Sequence, residues 1–390
     1  SKLSPWCLAR LAHSLPEDSY RLVNASAERA TLGWLLAQHR FETYRTKKKP
    51  HAGPRILVTA DVARIASNVR IAEATALVRD LVDTPANDLG PAEFEQAARA
   101  VAKGFGGMVR LTSGKELRDG YPLIEAVGKA AAADRAPRLI EIEWGNPAHP
   151  RIAIVGKGVC FDSGGLDLKN APGMRLMKKD MGGAAHALAL AQLIAGERLP
   201  VRLHLLIPAV ENAVSGNAFR PGDIVRSRQG LHVEIDNTDA EGRLILADTL
   251  ARAAEDNPEL ILDFATLTGA ARIALGPDLP AMFANQDALA QELEQAANAV
   301  EDPLWRLPLW DGYEDMLKSD VADIVNSGGG MAGTITAALF LRRFVPKNIP
   351  WVHLDTFAWR PSSQPGRPKG GAALGLRAAF FMLQQRYPTV

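Results

Sequence analysis

The chain has 390 residues, 47% hydrophobic and 23% charged, with a formal net charge of +1. That is ordinary globular composition, enough for two domains or one large domain with an appendage, and for a core that needs no covalent staples. The near-neutral balance gives no long-range pull toward nucleic acid or membrane. Two cysteines, Cys7 and Cys160, are too few for a disulfide framework or a cysteine-based zinc site, and no apolar run reaches the ~18 residues of a membrane helix.

Cysteine usage fits a reducing compartment, hence a cytoplasmic location. The start, Ser1 to Trp6, lacks both an initiator methionine and the apolar core of a signal peptide, so the chain reads as a processed or truncated product. Lys47-Lys48-Lys49 reads as a solvated loop.

In chain order, Ala27 to Tyr44 reads as an amphipathic helix and Arg55 to Thr59 as a short strand. Asp61 to Asp83 has the pattern of a long helix with Asp61 as its cap. It must stop at Thr84-Pro85-Ala86-Asn87-Asp88-Leu89-Gly90-Pro91, and a domain boundary is placed there. Strands and helices then alternate. Strands are expected at Arg151–Val155, Val201–Ile207, Leu260–Phe264 and Trp351–Leu354. Asp223–Ile235 reads as two strands joined at Arg228-Gln229-Gly230. Helices are expected at Met181–Ala195, Gly242–Glu255, Gln286–Val300 and Gly333–Phe344. The alternation predicts an α/β fold, a mostly parallel, twisted sheet covered by helices, with a small α/β region in front.

Two stretches carry chemistry. In Val155-Gly156-Lys157-Gly158-Val159-Cys160-Phe161-Asp162-Ser163-Gly164-Gly165, the glycines flanking Lys157 permit close backbone approach and unusual φ. Lys157 and Asp162 would lie near the carboxyl end of a strand, where such folds keep their chemistry. Lys169 and Asp180 follow, and Asp180 taken alone reads as a helix-capping acid. The second stretch is Asn237-Thr238-Asp239-Ala240-Glu241-Gly242-Arg243-Leu244. In an extended segment Asp239 and Glu241 would face the same way and converge on one ion. A bland reading is a turn followed by a helix start. Another is a decayed calcium loop from Asn237 to Asp248, disfavoured because its last position is not glutamate and a strand precedes it. Phosphate-loop, zincin and nucleophile-elbow motifs are absent. His186, in an Ala/Leu-rich helix, reads as a satisfied core or interface residue, and nothing in the spacing supports a triad with Ser163.

Together the candidates say more. Asp162, Asp180, Asp239 and Glu241 bring four negative charges, which crowding alone would make costly. Two divalent cations would cancel them, and an oxygen-rich site with metals ~3.5–4 Å apart suits hydrolysis. Lys157 could join as a ligand only as the neutral amine.

The octapeptide Asn237–Leu244, with G-K-G-x-x-F-D-S-G-G upstream, resembles the leucyl aminopeptidase (cytosol aminopeptidase) family of dinuclear metallopeptidases. The order and spacing of Lys157, Asp162, Lys169, Asp180, Asp239, Glu241 and Arg243 match without a gap. Further matches lie at Asp180–Ala185, Ala265–Ala270 and Ala332–Ala338. The resemblance covers about residues 84 to 385, and 20 to 83 more loosely. It implies a small front region over 1–60, a linker helix over 61–83 and a catalytic domain over 84–390. Lys157, Asp162, Asp180 and Glu241 would bind the tighter of two divalent metals. Asp162, Asp239 and Glu241 would bind the more exchangeable one. The metals would be zinc, manganese or cobalt. A metal-bridging hydroxide would attack the scissile carbonyl, Lys169 would steady the oxyanion, and Arg243 would hold a bicarbonate that relays protons. Met177, Thr266, Leu267 and Gly269 would bind substrate, favouring leucine-like first residues of peptides. A homohexamer is implied.

Family members carry a larger N-terminal domain than these ~83 residues, which leaves any N-terminal role, DNA binding included, without support. Two rival readings come from other classes: a nucleic-acid-binding regulator, against which the net charge argues, and a dinuclear phosphoesterase, against which the lack of histidine ligands argues.

Overall fold

The computed structural model describes residues 3–23, 27, 29–47, 53–59 and 62–389, and the side chains of 62–64 are not among what it describes. The Asp61 cap and most of the Lys47-Lys48-Lys49 run lie outside the described residues.

The fold centres on a sheet of nine strands. They are β1 (Met108–Ser113), β2 (Arg138–Trp144), β3 (Arg151–Gly156), β4 (Gly158–Asp162), β5 (Arg202–Asn212), β6 (Leu260–Ala265), β7 (Ala281–Ala284), β8 (Trp305–Arg306) and β9 (Trp351–Asp355). The order is β8-β7-β9-β6-β3-β5-β2-β1, with β4 pairing against β5. The block β9-β6-β3-β5 is parallel. On one side β2 and β1 run antiparallel, and on the other β7 runs antiparallel to β9. The parallel sheet expected from alternation is therefore the centre of a mixed one.

Period two sorts the strand residues between two cores. Ile152 and Ile154 of β3 and Leu260, Leu262 and Phe264 of β6 face one cluster. Helices α1 (Val62–Asp83) and α2 (Gly182–Gly196) cover that face. Ala153, Val155, Ile261 and Ala265 face the other, under α3 (Glu241–Glu255) and α4 (Gly333–Arg342). Burial on both faces is why these strands read as apolar runs.

Val78, Leu81 and Val82 place the end of α1 inside the first core. The front region has its own small cluster, including Leu8, Ala12, Ala30 and Trp34. A parallel pair, Asp18–Arg21 with Arg55–Val58, adjoins it. The helix expected over Ala27–Tyr44 is shorter, Ala30–Leu36.

Candidate active site

Lys157 sits in the one-residue link between β3 and β4. Its N–H donates to the Phe264 carbonyl (3.0 Å), and its own carbonyl accepts from the Ala184 N–H (2.8 Å), which ties it to β6 and α2. The flanking glycines allow that closeness. A Cβ on Gly156 would stand 2.6 Å from the Ala184 Cα, and one on Gly158 2.4 Å from the Pro208 carbonyl oxygen. Neither has positive φ, so close approach is the whole reason for them.

The buried Lys157 ammonium donates to Asp180 Oδ2 (2.7 Å) and the Thr266 carbonyl (2.9 Å), and lies 3.0 Å from Glu241 Oε1. Burial alone would lower its pKa. Asp180, Glu241 and Asp162 outweigh burial and hold it well above the ordinary lysine range. The neutral amine that the family resemblance calls for thus requires divalent cations to offset those carboxylates.

Asp180 is not a helix cap. It lies in a 3₁₀ turn, Met177–Met181, and its carboxylate accepts from Lys157 and from the Thr266 hydroxyl (2.8 Å). Burial would raise its pKa, but Lys157 and Lys179 hold it low. Asp162, at the end of β4, accepts at Oδ1 from the Gly164 N–H (2.9 Å) and the Asn212 amide (2.9 Å), and its Oδ2 lies 2.9 Å from the Lys169 ammonium.

Asp239 and Glu241 converge, but not through an extended segment. The strand before them, His232–Glu234, belongs to a separate three-stranded sheet. The Asn237 side chain then accepts from the Asp239 N–H (2.8 Å), curling the chain so that Glu241 becomes the first residue of α3. Lys169 bonds Asp239 directly. Burial, then Asp162, lifts the Asp239 pKa to about 6 and that of Glu241 to about 8.

One oxygen from each of Asp162, Asp239 and Glu241 lies within 4.8 Å of the other two. Glu241 is 1% exposed, and no donor is aligned with its Oε1 despite the nearby Lys157. Such an orphaned buried acceptor is costly unless a cation meets it. Four carboxylates here face three ammonium groups, Lys157, Lys169 and, 3.7 Å from Asp180, Lys179, which formally leaves one negative charge over.

These residues line one cleft of about 380 Å³, together with Lys169, Met177, Thr266, Leu267 and Gly269. Arg243 does not line it. Arg243 is buried in the first turn of α3, donates to the Asn326 carbonyl (2.8 Å), and among the described residues has no partner at Nε. Burial pushes its pKa down to about 10.

Several supporting residues escaped the sequence reading. Asn212 joins the two acidic loops by donating to Asp162 and to the Thr238 carbonyl (3.1 Å). Lys179 is buried in the cleft wall. Asp355 ends β9 and accepts from the Leu267 N–H (2.9 Å) and the Thr268 hydroxyl (2.6 Å). The strand-exit rule that singled out Asp162 reaches Asp355 as well, whereas Asn212 carries no local signal.

The rival arrangements do not form. Asp248 turns away from the acids, accepting from the Leu123 (2.8 Å) and Arg228 (2.7 Å) N–H groups, so no calcium loop closes. His186 accepts from the Leu374 N–H (2.9 Å), which leaves Nδ1 to donate to the Gly182 carbonyl (2.6 Å). It is a satisfied core residue. A second possible ligand group, Glu143, His204 and Asp256, is already met by Arg202 (3.4 Å to Glu143) and Arg252 (3.0 Å to Asp256).

The profile of the cytosol aminopeptidase family, catalytic domain, matches residues 76–380. A probable cytosol aminopeptidase of Syntrophotalea carbinolica is 43% identical over 370 residues, which is 90% of this chain and 74% of that one. The solved cytosol aminopeptidase from Coxiella burnetii superposes with a TM-score of 0.94 at 50% identity, covering 98% of this chain and 84% of its own. The bottromycin maturation enzyme BotP in complex with Mn gives 0.92 at 35% identity, covering 98% and 87%. The likeness takes in both the sheet and the loops that carry the acids. The chain belongs to the cytosol aminopeptidase family and is an aminopeptidase, a hydrolase.

Proposed function

We propose that the enzyme is a metal-dependent aminopeptidase that removes the first residue of peptides with a free α-amine, favouring apolar residues such as leucine. The observation that carries this reading is the three-carboxylate group within 4.8 Å, with a buried Glu241 oxygen that no donor satisfies. The donor set fits two divalent cations. Lys157, Asp162, Asp180 and Glu241 would hold one, and Asp162, Asp239 and Glu241 the other. Zinc, manganese and cobalt all accept such ligands, and the manganese complex of a 35% identical relative accords with that. When bound, the cations supply Lewis acidity and a water of lowered pKa.

The chain's own groups do the rest. Lys169 stays charged, because Asp162 and Glu241 outweigh the effect of burial, and it stands at the cleft beside the acids. An ammonium so placed would donate to the oxyanion that develops on the scissile carbonyl. Arg243, with its free Nε, would hold the bicarbonate, whose oxygens suit the planar guanidinium and which supplies a proton-transfer group. Half-buried Met177 and Leu267, with Thr266 and Gly269, would receive the first side chain. The substrate's free α-amine would be met by a cation that the acid cluster holds, which favours free N-termini over blocked ones.

Two unpaired cysteines accord with a cytoplasmic setting, and a homohexamer follows the family resemblance. Among the described residues no helix is long and apolar enough to cross a membrane. The test is a panel of free and N-acetylated leucyl and lysyl peptides, assayed before and after chelation. Free leucyl peptides should be cleaved fastest, acetylated ones should resist, and activity should vanish on chelation and return with a divalent metal. Cleavage of acetylated peptides, or full activity in metal-stripped enzyme, would refute the proposal.

A further inference from the structure

A second, smaller cavity of about 80 Å³ lies where the front region meets α1 and the loop leading into the last helix, Leu376–Arg386. Four arginines line it, Arg79, Arg360, Arg367 and Arg377, against the carboxylates of Asp278, Glu301 and Asp302. Each carboxylate already has a partner. Asp278 pairs with Arg360 (2.8 Å), and Glu301 accepts from the Ser4 hydroxyl (2.8 Å). Asp302 caps the last helix, accepting from the N–H groups of Arg377 (2.9 Å) and Ala378 (3.2 Å). The Arg377 side chain is spent on the Val300 and Glu301 carbonyls (2.8 and 2.9 Å).

Arg79 and Arg367 are left over. Among the described residues neither has a carboxylate within the 4.0 Å of an ion pair. Arg79 is 4% exposed. It donates to the Leu36 and Gly366 carbonyls (3.3 and 2.7 Å), and among the described residues its Nε has no partner. Arg367 lies over the Trp6 ring at 4.5 Å, and among the described residues its buried Nε also lacks a partner and its side chain donates no hydrogen bond. Burial, then Arg360, pushes the Arg79 guanidinium down to about 10, against the weaker opposing pull of Asp83 and Asp80, and burial, then Arg360, lowers Arg367 against that of Asp278. A buried guanidinium with no carboxylate in contact is costly, and an anion is one remedy.

Size narrows the choice. On the same measure a single water needs roughly 10–15 Å³, so the cavity of about 80 Å³ has room for one small polyatomic ion. Guanidinium forks match the oxygens of tetrahedral oxyanions. We propose that this cavity, which both Arg79 and Arg367 line, binds one tetrahedral oxyanion of the phosphate or sulfate class, and that the ion fastens the front region to the catalytic domain. The site shares no lining residue with the catalytic cleft.

The test is thermal unfolding of the metal-loaded enzyme in rising sodium sulfate, against sodium chloride of equal ionic strength. Sulfate also stabilises proteins non-specifically, so the readout is the increment lost on mutation. The wild type should show a saturable rise in Tm. Arg367→Gln and Arg79→Met should lose it, with turnover of a leucine anilide unchanged in Arg367→Gln. Arg79→Met also removes two bonds to backbone carbonyls. Arg367→Gln removes no hydrogen bond, and it keeps the test decisive if the other variant does not fold. Inorganic phosphate in place of sulfate shows which ion is preferred. A crystal soaked in selenate should place the anomalous signal in the cavity that Arg79 and Arg367 line. An equal Tm rise in Arg367→Gln, no excess over chloride in the wild type, or selenate only in the catalytic cleft would overturn the proposal.

Discussion

Gly242 supplies the space that Lys157 fills: a Cβ on Gly242 would stand 2.4 Å from the Lys157 Cε and 2.6 Å from its Nζ. The glycine is in the first turn of α3 without a positive φ, so its role is room rather than backbone freedom. Gly242→Ala would meet the far end of a flexible side chain. The fold should survive while Lys157 is driven from Asp180 and Glu241. A displacement of ~1 Å at such a site costs on the order of 10²-fold in rate. Circular dichroism should therefore be unchanged and kcat/KM for a leucine anilide should fall by about that factor. Wild-type kinetics would contradict the assignment of Lys157.

Lys157 also compensates buried charge in the metal-free protein. Removing one partner from a buried ion group costs about 3–5 kcal/mol. Lys157→Met should lose about that much in urea unfolding of metal-stripped protein, less whatever proton uptake by Glu241 returns. An unchanged unfolding midpoint would mean that the ammonium is not what balances Asp180 and Glu241.

Asn212 ties Asp162 to the loop that carries Asp239. Loss of a group that orients a metal ligand typically costs 10–100-fold in affinity or activity. Asn212→Ala should fall in that range, with metal affinity and kcat dropping together. A variant with normal metal affinity would show that the backbone alone holds Asp162.

Much of this site was legible because its residues fall in two short stretches at fixed spacing. Lys157, Asp162, Asp180, Asp239 and Glu241 were all named from the sequence, and the structure brings them to one cleft. What the sequence reading missed lies in non-local geometry. Asp239 and Glu241 meet because the Asn237 side chain turns the backbone, an event that period-two reasoning cannot contain. Asn212 and Asp162 are 50 residues apart, and only the pairing of β4 with β5 makes them neighbours. Strands β1, β2, β4, β7 and β8 went unread. β1 is a partly exposed edge strand, and the direction in which a strand pairs leaves little local trace. Arg243 was named from the motif, yet its burial behind the cleft wall, beside Glu241 and Asp355, goes with a tertiary contact with Asn326.

His186 makes acid stability predictable. Burial lowers its pKa from 6.5 to about 4. The folded state therefore holds the ring neutral, while the unfolded state takes up a proton as pH falls below 6.5. The contribution is fully present above pH 6.5 and is lost between there and pH 4, about 3 kcal/mol in all. Urea unfolding of the wild type at pH 7 and pH 5 should show part of this loss, and His186→Gln should show a shallower pH dependence. Identical slopes would contradict the buried neutral ring.

The central claim is that Glu241 completes a two-metal cage. Elemental analysis of protein loaded with manganese or zinc and freed of excess ion tests it directly. Wild type should retain about two metals per chain, and Glu241→Gln should retain less than one, with the fold intact and peptidase activity gone, because it removes a carboxylate proposed to serve both metals. Two tightly held metals and undiminished turnover in Glu241→Gln would contradict the account.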